Sequence, residues 1–140
     1  MKKQILHSFV LFAMVVVAFS SCKKSATDTN PNFSLTELLT SGPWEITYFN
    51  DGTNDRASNF SGYTFTFLSS GKMYAANTTE TVTGAWTNEN SASQLNITIA
   101  GNSPLPYLNK SWIISSTANS TIILQDDNSG NISEIHLVKK

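Results

Sequence analysis

Disulfide bonding within the chain is excluded at the outset, because its 140 residues include a single cysteine, Cys22. Histidine is nearly as scarce: His7 lies in an apolar N-terminal run, which leaves His136 alone in the remainder. A zinc site draws three or four ligands from clustered His, Cys and acidic residues, and one histidine does not supply them. A Ser–His–Asp arrangement would need His136, yet Ser133 and Glu134 are its neighbours only in sequence, and a triad is defined by geometry. Nine Lys and Arg stand against ten Asp and Glu, and Arg56 is the only arginine. With no basic patch to hold a phosphate backbone, nucleic acid is not an expected partner. Lys, Glu and Ala are sparse while Ser, Thr and Asn abound. That bias disfavours long helices and favours strands joined by polar turns. Asp51 to Asp55 and Asp126 to Asn128 match no EF-hand loop and read as tight turns. Glu45, Glu80, Glu89 and Glu134 read as outward positions or strand ends, not as paired catalytic carboxylates. The expectation is a protein that is not an enzyme, with no metal and no cofactor.

What the chain does have begins at its N-terminus. Met1-Lys2-Lys3 is basic, Ile5 to Phe19 is almost unbroken apolar sequence, and Ser20-Ser21 lead into Cys22. This is the order of a secretory signal: charged region, apolar region, small-residue cleavage site. The apolar run of about fifteen residues is short of the roughly twenty that a spanning helix needs. An uncleaved anchor, or a plain secretory signal with an incidental cysteine, is the competing reading. Ending on cysteine, the segment resembles a bacterial lipoprotein signal. Phe19 and Ser21 depart from the commonest motif, and Cys22-Lys23-Lys24 is similar to the looser signals of Bacteroidetes lipoproteins. The resemblance implies residues 1–21 as signal peptide and Cys22 as the lipid attachment site, anchoring the protein to a membrane. Several acyl chains make such an anchor firm, since one alone binds only reversibly. No acidic cluster follows Cys22, only Asp28, which favours the periplasmic face of the outer membrane over the cell surface. Residues 22–32, small and polar with Pro31, read as a flexible tether. Once the signal is removed the chain is acidic by about three charges.

Residues 33–140 then form one domain, enough for one core but not two. Ser34 and Glu37 have capping-box spacing, with Phe33 and Leu38 at the staple positions, so one short helix is predicted, stopped by Gly42-Pro43. Beyond Pro43 the apolar residues alternate. The predicted inward residues include Trp44, Ile46 and Tyr48, then Phe65 and Phe67, and later Val82 and Trp86. Leu95, Ile97 and Ile99, Trp112 and Ile114, Ile122 and Leu124, and Ile135 and Leu137 continue the pattern. About eight strands without a crossover helix mean an antiparallel sandwich or barrel.

A helix followed by Gly42-Pro43-Trp44 at the opening of the first strand resembles the Gly-x-Trp signature of lipocalins. The resemblance covers roughly residues 34 to 140 and implies an all-β fold: an eight-stranded antiparallel up-and-down β-barrel with one short N-terminal helix. The family's Thr-Asp-Tyr turn is replaced by Ser115 to Ser120, and the arginine that packs on the signature tryptophan is missing. The kinship is therefore to a lipocalin-like relative. In such a barrel the two longest connections, Asn50 to Phe60 and Gly101 to Asn109, share one end, taken as the mouth, and the helix caps the other. Lys139 would come near Trp44, either resting on its ring or ending as a solvated tail. Lipocalin likeness implies binding of a small apolar or amphipathic molecule. The candidate contacts are Tyr48, Phe65, Phe67, Trp86 and Trp112 inside, with Tyr107 and Arg56 at the mouth, where Arg56 would receive an anionic headgroup. So many rings lean toward a filled interior, and eight strands allow either a filled or a hollow one. The alternative is therefore a non-catalytic accessory lipoprotein with a filled barrel, meeting another envelope protein.

Overall fold

Ser34 is the N-cap of a short helix in a computed structural model that describes residues 34–128 and 130–140. Its hydroxyl accepts from the Glu37 N–H at 3.2 Å, and the Glu37 carboxylate accepts from the Ser34 N–H at 2.8 Å. This reciprocal box satisfies two donors that the helix leaves over. Helix α1 (Leu35–Thr40) buries Leu35, Leu38 and Leu39 and ends before Gly42-Pro43. The signal segment, Cys22, the tether and Phe33 lie outside the described residues.

Eight strands follow: β1 (Pro43–Asn50), β2 (Thr64–Phe67), β3 (Lys72–Ala76), β4 (Thr81–Glu89), β5 (Gln94–Ile99), β6 (Ser111–Ala118), β7 (Thr121–Asn128) and β8 (Asn131–Lys139). Each pairs antiparallel with the next, and β8 returns to β1, so the sheet closes into an up-and-down barrel. Closure removes most of the free sheet edge that could template aggregation, although β1 meets β2 at only two positions. Short 3-10 helices interrupt the two long connections, at Ala57–Phe60 and Leu105–Leu108.

Period-two alternation places most of the core; it omits Met73 and Ala75 of β3, both fully buried, leaves Val82 of β4 only half-buried, and fails where the ladder bulges. In β1, Ile46 pairs with Leu137, but Tyr48, not Thr47, pairs with His136. The extra residue reverses the alternation beyond it. Tyr48, expected inside, is turned outward and 36 % exposed, and Phe49 takes the inward place, fully buried. A second bulge follows Ile114 in β6 and leaves that residue half-buried. Gly84, between Met73 and Ile99 in the ladder, has a different reason to be where it is. A Cβ there would stand 2.8 Å from the Thr98 carbonyl oxygen, so the close approach of neighbouring backbone admits only glycine.

Each tryptophan ties a non-strand segment to the barrel through its indole N–H, the usual requirement when so large a ring is buried. Trp44 donates to Leu39 O at 2.8 Å, which seats α1 at the base. Trp86 donates to Leu68 O and Lys72 O at 3.0 and 3.1 Å, holding the β2–β3 turn. Trp112 donates to Leu108 O at 3.0 Å, holding the second 3-10 helix. Lys139 does pair with Trp44 in register, but its ammonium donates to Ser41 Oγ at 2.9 Å instead of resting on the ring.

Candidate functional site at the mouth of the barrel

The β1–β2 loop is organised by Asp51. One carboxylate oxygen accepts the Thr53 and Asn54 N–H groups at 3.0 and 2.7 Å, and the other accepts Arg56 Nε at 2.5 Å. The Asn54 N–H first and the Arg56 guanidinium second favour the charged form and lower the Asp51 pKa from 3.8 to about 2. Asp51 thus works as a turn-former, as its sequence setting implied. Held this way, the Arg56 guanidinium lies over the Tyr107 ring at 4.6 Å from its centroid. The two mouth residues singled out in the sequence therefore meet each other, joining the β1–β2 loop to the β5–β6 loop.

Beneath that contact the loops close the barrel. Phe60, from the first 3-10 helix, sits 5.4 Å from the Phe49 ring and 6.3 Å from the Phe65 ring, and Leu105 and Leu108 enter from the second. Tyr107 and Trp112 meet the Phe49 ring edge-on at 6.4 and 6.1 Å. Tyr63 Oη donates to Glu80 Oε1 at 2.6 Å, adding the β3–β4 connection to the ring of contacts.

Lys110 closes the remaining side. Its ammonium stands 3.0 Å from Asp126 Oδ2, donates to Ser133 Oγ at 3.0 Å, and lies 5.3 Å from the Trp112 ring centroid. Asp126 and Ser133 are buried. Sequence reading took Asp126 for a turn residue, although Ile122, Leu124, Asp126 on β7 and Ser133, Ile135, Leu137 on β8 share one inward period. A Ser–Lys pair can attack a carbonyl only if the amine is neutral and the hydroxyl reachable. Here the ammonium is ion-paired and Ser133 is 3 % exposed, so the cluster holds strands and loop together.

His136 is no partner for Ser133. It points outward, where its Nε2 is 2.8 Å from Glu134 Oε1 and its ring 4.8 Å from that of Tyr48. Gln125 first, then His136, hold the Glu134 carboxyl below its usual range. Serine and histidine thus lie on opposite faces of β8. Among the described residues no three His, Cys, Asp or Glu side chains gather closely enough to hold a metal ion.

The interior is packed. Phe65, Phe67, Trp86 and Trp112 are core residues, none more than 5 % exposed, while Val82 and Ile114 at the edge of the core are half-buried. A ligand chamber would leave its walls accessible; these walls touch one another. Four of the seven residues chosen as ligand contacts are thus core, Arg56 and Tyr107 form the rim, and Tyr48 lies outside. Beside Tyr107, which is 37 % exposed, a shallow crevice of about 330 Å³ runs along Ser103 and Pro106.

No family model matches the sequence, and no curated protein is significantly similar to it. Solved structures are similar in fold. A DUF4847 family protein from Bacteroides vulgatus aligns with a TM-score of 0.55 at 17% identity, over 74% of this chain and 96% of that one. A lipocalin-like protein from Bacteroides uniformis aligns with a TM-score of 0.53 at 12% identity, over 74% and 99%. Japanin from Rhipicephalus appendiculatus, bound to cholesterol, aligns with a TM-score of 0.54 at 11% identity, over 78% and 79%. At such identities the likeness speaks for the fold alone. The chain has the lipocalin-like fold, a closed eight-stranded antiparallel barrel with one short helix at its base.

Proposed function

We propose that this protein is a non-catalytic lipoprotein of the cell envelope, anchored through lipid on Cys22, whose filled barrel acts as an accessory module that meets another envelope protein. The observation that carries this reading is the packed interior, closed at its mouth by Phe60, Leu105 and Leu108. The deep burial of the inward side chains supports assigning recognition to the outer surface and the rim, where loops on a rigid scaffold commonly carry function. The order Lys2-Lys3, apolar run, Ser20-Ser21-Cys22 supports the anchor, and the absence of an acidic cluster after Cys22 favours the periplasmic face.

A second reading keeps a small apolar or amphipathic ligand. Japanin, similar in fold, is bound to cholesterol, and here the exposed Tyr107 with Arg56 across it is a rim to which an amphipathic molecule with an anionic head would hold. Two experiments separate the parts. Palmitate labelling lost in Cys22→Ser supports the anchor, and membrane fractionation without label refutes it. Native mass spectrometry of protein taken from its own envelope is expected to find no small molecule inside the barrel. A lipid that co-purifies and is released by Phe65→Ala would overturn the filled-barrel reading.

A further inference from the structure

Opposite sides of the barrel's outer surface differ in composition. On β4 and β5 the outward positions hold mostly hydroxyl and amide residues, among them Thr81, Thr83, Thr87, Asn96 and Thr98. On β6, β7, β8 and β1 they carry large apolar side chains. Four such side chains stand exposed among the described residues, and three of them lie here: Tyr48 at 36 %, Ile113 at 52 % and Ile132 at 56 %. The half-buried Ile123 and Val138 share this face. Single exposed apolar residues are ordinary on a protein surface, but their gathering on one face marks a place of contact.

The register sets them around one carboxylate. Ile113, Gln125 and Glu134 follow one another across β6, β7 and β8, and Ile123, His136 and Tyr48 make the next row across β7, β8 and β1. Ile132, two residues before Glu134, falls on the same face. Glu134 Oε2 accepts from Gln125 Nε2 at 2.7 Å, and Oε1 lies 2.8 Å from His136 Nε2. These contacts fix the carboxylate but leave it 28 % exposed, with lone pairs for an incoming donor.

The sign of the charge selects the occupant. Glu45 and Glu134 are carboxylates of this face, Asp127 is the ladder partner of Ile132, and no Lys or Arg falls in the outward period of the four strands. Lys140, past the end of β8, reaches Glu45 at 3.8 Å. A second copy would set acids against acids, and an anionic lipid surface would be repelled in the same way. A protein that brings a cation meets the opposite sign. An arginine can fork onto a carboxylate while its plane lies on a ring such as Tyr48, and an apolar surround keeps water from the contact.

We propose that the outer face of β6, β7, β8 and β1 docks a protein partner that sets a basic side chain on Glu134 and apolar residues on Ile113, Ile132 and Tyr48. This docking rests on the accessory-module function proposed above and gives it a surface and a partner chemistry.

The test uses the full chain in its own envelope, with photoreactive p-benzoylphenylalanine placed in turn at Ile113, Ile132, Thr83, Thr98 and Tyr107. Irradiation is expected to give a discrete protein adduct from Ile113 and Ile132 and none from Thr83 or Thr98. Glu134→Lys cuts that yield at least about tenfold, while the purified variant keeps a cooperative melt. Mass spectrometry finds the cross-linked segment beside an Arg or Lys of the partner, and changing that residue to Glu restores the adduct in the Glu134→Lys chain. Adducts at twice the chain mass, adducts to lipid alone, or a yield indifferent to Glu134→Lys would each overturn the assignment. Adducts from Tyr107 but from neither isoleucine would overturn it and leave the accessory-module reading standing. No protein adduct from any position would refute both.

Discussion

Asn109 pairs with Ile99 as a neighbouring strand would. The Ile99 N–H donates to Asn109 Oδ1 at 2.6 Å, and Asn109 Nδ2 donates back to Ile99 O at 2.9 Å. The ladder between β5 and β6 runs only from Gln94↔Ile113 to Asn96↔Ser111. Beyond it the Ile97 N–H turns to Lys110 O at 3.0 Å, and the Asn109 amide serves Ile99. Backbone groups that lose a ladder partner must find another, and here a side chain supplies it.

Asn109→Ala therefore releases both backbone groups of Ile99 and is expected to cost about 1 kcal/mol, the net worth of such bonds where water has some access. Urea denaturation reads this as a lower midpoint at unchanged slope. Asn109→Asp keeps the acceptor, loses the donor, and falls between the two. An unmoved midpoint in Asn109→Ala would mean that water replaces the amide fully.

The β1 bulge makes a sharper comparison. Phe49→Ala is expected to destabilise by about 3–5 kcal/mol as a large buried ring is lost. Tyr48→Ala, on the outer face against His136, is expected to cost less than about 1 kcal/mol. The reverse ranking in thermal or chemical melts would put Tyr48 back inside and remove the bulge.

This residue pair also marks how far the sequence could be read. Alternation, with the polar turn clusters between strands, located the strands and most inward side chains, because one buried face per strand imposes period two, but it did not name Met73 and Ala75 of β3, both fully buried. The helix was legible from Ser34 and Glu37, and its seat at the base from the end at which it enters β1. A bulge is an extra residue without a compositional signature, so Tyr48 and Phe49 were exchanged. Asp126 was misread for a related reason: a charge at an inward position looks like a turn until Lys110 is seen beside it. Arg56 and Tyr107 could be assigned to one end but not to one another, since their contact depends on how the Asp51 carboxylate gathers its loop.

Acid should weaken that loop in a defined window. The folded Asp51 pKa of about 2 is depressed from 3.8, so its contribution is present above the unfolded value and lost as pH falls through the folded one. The melting-temperature difference between the parent and Asp51→Asn is thus expected to be steady above about pH 5 and to shrink between about pH 4 and pH 2. A difference independent of pH would show that the Asp51 charge adds nothing to folding.

Lys110 and Asp126 are expected to behave as a coupled pair. Lys110→Met removes the ammonium from a buried carboxylate and should cost about 2 kcal/mol, less than a fully buried pair because the lysine is partly exposed. Asp126→Leu alone leaves the ammonium without that carboxylate. In a double-mutant cycle by urea denaturation, the combined variant should lose about 1 kcal/mol less than the two losses added. Additive losses would assign the pair no coupling.

The filled interior is tested most directly by xenon, which enters dry apolar cavities large enough to hold it. In crystals of the parent protein under xenon pressure no xenon is expected between Phe65, Phe67 and Trp112, whereas Phe65→Ala, which opens a cavity there, takes it up. Xenon bound at that place in the parent protein would reveal a hollow barrel and overturn the filled interior.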